Sequence, residues 1–125
     1  TDKRGASIWG GGLLDTVSQV TVDTTTIDDF SQSNNISGID ILKMDAQGAE
    51  FSILEGAHEM LKNQKISLIY TELILQPTYR GQHKLHEYLS FLDSFDYELL
   101  NVFNLEMTGN KLVQADVVFV SSSLS

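Results

Sequence analysis

The 125-residue chain has no cysteine. That removes disulfides, thiolate nucleophiles and zinc–sulfur sites together, and it is compatible with a reducing, cytoplasmic setting. No apolar run approaches the roughly 20 residues that a membrane helix needs, and no secretory leader pattern opens the sequence. Positive charge is also scarce, with 8 Lys and Arg against 17 Asp and Glu for a net charge of −9. Such a surface repels phosphate backbones, and no Lys/Arg cluster offers a local exception. Nucleic acid and anionic membrane are therefore not the expected partners. With 42% apolar and 20% charged residues, the rest of the composition is that of an ordinary globular domain. The length fits one domain with a real core.

The stretch that organises the chain is Ile39 to Ala57, IDILKMDAQGAEFSILEGA. A short apolar run ends in Lys43 and Asp45. After Gly48, apolar residues recur at helical spacing through Ile53, Leu54, Ala57, Met60 and Leu61. This is a strand–turn–helix signal. In open parallel α/β sheets ligands bind beyond the carboxyl ends of the strands, so chemistry is expected here. Gly56 marks either a close helix–sheet contact or a break between two short helices.

The segments around this centre follow in order. Residues 1–16 read as a loop or linker. Gly10, Gly11 and Gly12 match neither phosphate-binding glycine pattern. Residues 17–22 alternate like a strand, and 24–30 read as a short helix with a Thr cap and acidic first turn. Residues 67–75, SLIYTELIL, form a second strand of the kind buried on both faces, ending before Pro77. Leu85, Tyr88, Leu89, Leu92 and Phe95 predict an amphipathic helix over 83–95. Strands at 97–103 and 113–120, with Gly109 and Asn110 between them, predict an antiparallel hairpin at one edge. The expected fold is α/β, a mainly parallel mixed sheet with helices on its faces and an antiparallel C-terminal edge strand.

Lys43-Met-Asp-Ala-Gln-Gly-Ala-Glu50, continuing to Leu54-Glu-Gly-Ala57, resembles the K-x-D-x-[EQ]-G-x-E…L-x-G-A signature of FkbM-type methyltransferases. Val22 to Phe30, Ile69-Tyr-Thr-Glu72, Pro77-Thr-Tyr79-x-Gly81-Gln82 and Gln114-Ala-Asp116 resemble further family segments in the same order. The resemblance covers roughly residues 17 to 120. It implies a class I methyltransferase with a Rossmann-like sheet that uses S-adenosylmethionine and methylates a hydroxyl on a sugar or other small molecule. In such families a glycine-rich strand–turn–helix precedes the matched part. The expectation is that this chain, which starts at Thr1, corresponds to the C-terminal portion and lacks the N-terminal cofactor half.

Under that resemblance Asp45 and Glu72 sit at adjacent strand ends and could take or orient the proton of an acceptor hydroxyl. Lys43 shares a face with Asp45 and could pair with it or with Glu72. Gly48 gives a cofactor room to approach the backbone, while Glu50 and Tyr79 are placed as substrate contacts. Two acids alone are too few to assign a metal. His83 and His86 read as helix-surface residues, and Asp28 and Asp29 as caps. A sheet lacking part of its strands exposes an edge, and a homodimer completing it is the expected remedy. A non-catalytic binding or scaffolding module built on the same fold is the alternative function.

Overall fold

The computed structural model describes residues 17–124. The expected linker at 1–16, with its triple glycine, lies outside the described residues. Eight elements follow: α1 (Ile27–Ser33), β1 (Ile39–Met44), α2 (Glu50–Glu55), α3 (His58–Lys62), β2 (Ile66–Ile74), α4 (Leu85–Asp93), β3 (Tyr97–Thr108) and β4 (Lys111–Ser121).

The strands form one four-stranded sheet in the order β1-β2-β4-β3. β1 and β2 are parallel, joined through α2 and α3, as a βαβ pattern requires. β4 runs antiparallel to both β2 and β3. Among the described strands the sheet is therefore mostly antiparallel, which corrects the expectation of a mainly parallel one. The edge is also different from the one expected. The hairpin forms, with Gly109 at φ +60° in its turn, but the C-terminal strand β4 lies inside the sheet and β3 takes the edge. Apolar patterning marks a strand without naming its neighbour, and here β4 carries the apolar residues that an interior position needs.

One face of the sheet carries the core. Ile69 and Leu73 of β2 with Val117 and Phe119 of β4 pack against Phe51, Leu54, Leu61, Tyr88 and Leu92 of the helices. On the opposite face Ile41 is 61% exposed, and Tyr70, Glu72, Asp116 and Val118 are half-buried. The β2 run is thus covered on one face by the described residues, not on both. Its alternation is hidden in the sequence because Leu68, Tyr70 and Ile74 on the open face are apolar too.

Residues 17–22 take no regular structure, and Val17, Val20 and Val22 are 96%, 81% and 71% exposed. The strand expected there has no partner among the described residues, and a lone alternating segment cannot satisfy its backbone groups as a ladder. The helix expected next does form. Thr26 caps it, its Oγ1 accepting from Asp29 N at 3.1 Å. Asp28 caps a different helix, accepting from Glu59 N at 2.8 Å and Met60 N at 3.0 Å at the start of α3. Gly56 is the break between α2 and α3. Its close contact is with α1 rather than the sheet, since a Cβ there would meet Thr26 Cβ at 3.1 Å.

Candidate active site at the strand ends

β1 ends at Met44, and residues 45–49 turn back into α2. The turn is closed by the first residue of that helix. Glu50, only 5% exposed, accepts from Ala46 N at 2.7 Å through Oε1 and from Gly48 N at 2.9 Å through Oε2. Two backbone N–H groups that would otherwise point at solvent thus converge on one carboxylate. Gln47 and Gly48 both adopt positive φ, +52° and +104°. The second of these is a conformation that side chains disfavour, which accounts for a glycine there.

Gly48 also makes room. A Cβ at this position would lie 2.7 Å from Tyr79 Cδ2, so the Tyr79 ring packs directly on the turn. Its hydroxyl donates to Gln47 Oε1 at 2.8 Å, and Gln47 Nε2 in turn donates to Asp45 Oδ1 at 3.0 Å. Tyr79 is held by Gln82, whose Oε1 accepts from Thr78 N and Tyr79 N at 3.0 and 3.1 Å. Gln82 Nε2 donates to Ile74 O and Gln76 O at 2.5 and 3.1 Å. One amide side chain therefore ties the loop after β2 to the end of that strand. A relay runs from this loop through Tyr79 and Gln47 to Asp45.

Glu72 lies on the open face of β2, opposite Asp116 of β4. Burial pushes its carboxyl above the ordinary Glu range, and the negative charges of Asp45, Asp116, Glu50 and Glu106 push the same way. Asp116 accepts from Tyr70 Oη at 2.8 Å and from Asn104 Nδ2 at 2.5 Å. Lys43 does not pair with either site acid among the described residues; its Nζ sits 5.7 Å from the centre of the Tyr70 ring. Burial also raises the Tyr79 hydroxyl above its ordinary value, reinforced by Glu50, Glu72 and Asp45, so Tyr79 is a neutral donor at physiological pH.

The structure brings Asp45, Gly48, Glu50, Glu72 and Tyr79 to one strand-end rim and leaves Lys43 one step back along the open face. A crevice of about 20 Å³ opens there, lined by Gly48, Glu50, Glu72, Gln82, His83 and Tyr88 among others. That is room for one water or one hydroxyl oxygen. Gln47, Gln82 and His83 join the site only through the fold. His83 was expected on a helix surface, but it precedes α4 and its ring lies flat on Phe51, 3.8 Å between centroids and 4° from parallel. His86 is exposed, as expected. Only the Tyr-x-Gly-Gln spacing could have drawn attention to Gln82. Nothing in the sequence pairs His83 with Phe51, 32 positions away.

Among the described residues, no group of three or more His, Asp and Glu side chains is arranged to hold a metal ion. No described helix is long and apolar enough to cross a membrane. The acidic rim suits a cationic ligand centre, whereas the 20 Å³ crevice beside it is far too small for a nucleoside.

Comparison with known proteins bears on what this rim does. The family model for the methyltransferase FkbM domain matches residues 3–99. A curated relative, the 2-O-methyltransferase NoeI of Sinorhizobium fredii, is 36% identical over 95 residues, which is 76% of this chain and 37% of that protein. The chain thus spans well under half the length of the relative it matches. No solved structure matches it.

Proposed function

The chain belongs to the FkbM methyltransferase domain family, and from that premise we propose that it serves S-adenosylmethionine-dependent O-methylation of a hydroxyl on a sugar or similar small molecule. The chemistry named for the relative, 2-O-methyl transfer, supports oxygen as the acceptor atom. The Rossmann-like class follows from the family. We assign the described strands to the C-terminal part of such a sheet, and the edge of β1, unpaired among the described residues, suits a further strand from the same chain or from a second copy.

The observation that carries this reading is Glu72. It is a half-buried carboxyl at a strand end, its pKa raised by burial and by the acids around it. A general base works best when its pKa lies near the operating pH, and this environment moves Glu72 toward it. Glu72 takes the proton of the acceptor hydroxyl as the oxygen attacks. Asp45, oriented by the Tyr79–Gln47 relay, accepts a hydrogen bond from a neighbouring hydroxyl of the acceptor and so holds the reacting oxygen in line. Glu50 keeps the turn closed, and Gly48 keeps the Tyr79 ring seated on it. Lys43 moderates the negative field from the next position along the open face.

When bound, S-adenosylmethionine supplies a methyl group on a cationic sulfur. The acids of the rim fit that cation electrostatically. Steady-state kinetics with Glu72→Gln and Asp45→Asn, in a protein that transfers methyl to a sugar hydroxyl, test these roles. Glu72→Gln should lower kcat by about 10²–10⁴-fold and abolish the acidic limb of the pH–rate profile. Asp45→Asn should cost less and raise KM as well. A Glu72→Gln enzyme with unchanged kcat and pH profile would remove Glu72 as the base.

A further inference from the structure

The crevice at Glu72 admits a hydroxyl but not the molecule that carries it, so the body of an acceptor must lie elsewhere. A groove of about 590 Å³ adjoins it and shares Ile74, Leu75, Gln82 and Leu85 with it. This volume falls within the usual range for small-ligand sites. Its lining is mainly carbon, from Ile74, Leu75 and Pro77 on one side and Leu85 and Leu89 of α4 on the other, with Tyr79 beside them. The polar members, Gln82, Lys84 and His86, are few. The wall formed by the loop after β2 is prebuilt, because the four hydrogen bonds of Gln82 fix that loop without any ligand.

We infer that this groove binds the apolar aglycone of a glycoside acceptor and so delivers one sugar hydroxyl into the crevice at Glu72. The sugar-hydroxyl part rests on the proposed methyl transfer; the apolar part rests on the groove alone. A free sugar has hydroxyls on nearly every carbon and would leave the side chains of Leu75, Leu85 and Leu89 unmatched. An aryl or alkyl group covers them. Tyr79 lines the groove and also packs its ring on Gly48, which lines the crevice. Acceptor binding and Asp45 orientation are therefore linked through one side chain.

The test is calorimetric titration of the 125-residue chain with phenyl β-D-glucopyranoside, n-octyl β-D-glucopyranoside below its micelle concentration, and glucose. The aglycone-bearing compounds should bind at least about tenfold more tightly than glucose. Leu85→Glu, at a position already 37% exposed, should weaken them by about tenfold, the scale of one lost apolar contact. Leu100→Glu on β3, 58% exposed and not part of the groove lining, should leave them unchanged. Equal affinity for glucose, no binding of either glycoside, or indifference to Leu85→Glu would overturn the inference.

Methyl transfer measured alongside separates the two readings. Aglycone-dependent binding by the chain, with no methyl transfer by a longer protein that joins it to a cofactor-binding part, would leave the groove and remove the enzymatic role. Methyl transfer with a KM blind to the aglycone would do the reverse.

Discussion

Replacing Gly48 by alanine would test the junction on which the whole rim depends. Two costs arise at this position. The backbone sits at φ +104°, where a Cβ is strained by about 1–3 kcal/mol. The new methyl would also lie 2.7 Å from Tyr79 Cδ2, 2.9 Å from Cγ and 3.3 Å from Cβ. These atoms are at the root of the ring, so a small rotation of its tip cannot relieve them. Displacing the ring adds a further cost of about 1–3 kcal/mol, and it breaks the Tyr79–Gln47 hydrogen bond. Gly81→Ala is the matched control, since φ there is +72° but a Cβ would meet nothing within 4 Å. Urea unfolding monitored by circular dichroism should show Gly48→Ala less stable than Gly81→Ala by about 1–3 kcal/mol. In a Tyr79→Ala background that excess should disappear, because the obstructing ring is gone. Equal destabilisation by the two glycine variants would refute the packing of Tyr79 on the turn, and with it the relay to Asp45.

Three other outcomes follow from the geometry. Asp28→Ala removes both side-chain acceptors at the start of α3 and should cost about 0.5–2 kcal/mol in urea unfolding, with Asp28→Asn recovering part of the loss. Glu72 has a raised pKa in the folded state, so its ionisation opposes folding above that pKa and the opposition is relieved as pH falls through it. Glu72→Gln should therefore melt higher than the parent at neutral pH, and the gain should vanish in acid; a lower melting temperature at neutral pH would contradict the crowding of acids. Burial pushes the Tyr88 hydroxyl up to about 12, so the folded state holds its proton longer than the unfolded chain and stability should fall as pH rises from about 10 to about 12. Tyr88→Phe should flatten that alkaline decline, which phenolate absorbance and thermal melts can follow together.

The sequence by itself determined the local events. Thr26 ahead of Asp28 and Asp29 set a helix start, because a hydroxyl at that offset reaches the third backbone N–H. Asp45, Gly48 and Glu50 marked a strand–turn–helix because the change from alternating to helical apolar spacing has no other local solution. Family membership was legible for the same reason: its signature lies within one contiguous turn and helix, where each residue answers to its near neighbours. Asp28 shows the limit of such reading. It was legible as a cap, but the helix it caps begins 30 residues later.

Tertiary structure alone decided the rest. It put β4 between β2 and β3 and, among the described residues, left one face of β2 open and gave Val17 to Val22 no strand to join. It turned Gln47 and Gln82 into positioning groups and laid His83 on Phe51. Side-chain patterning encodes which face of an element is apolar, whereas strand order and long-range partners depend on which apolar faces meet when the chain closes its loops. The acidic rim is a product of that closure: Asp45, Glu72 and Asp116 are far apart in sequence, and only the register of three strands brings their charges together.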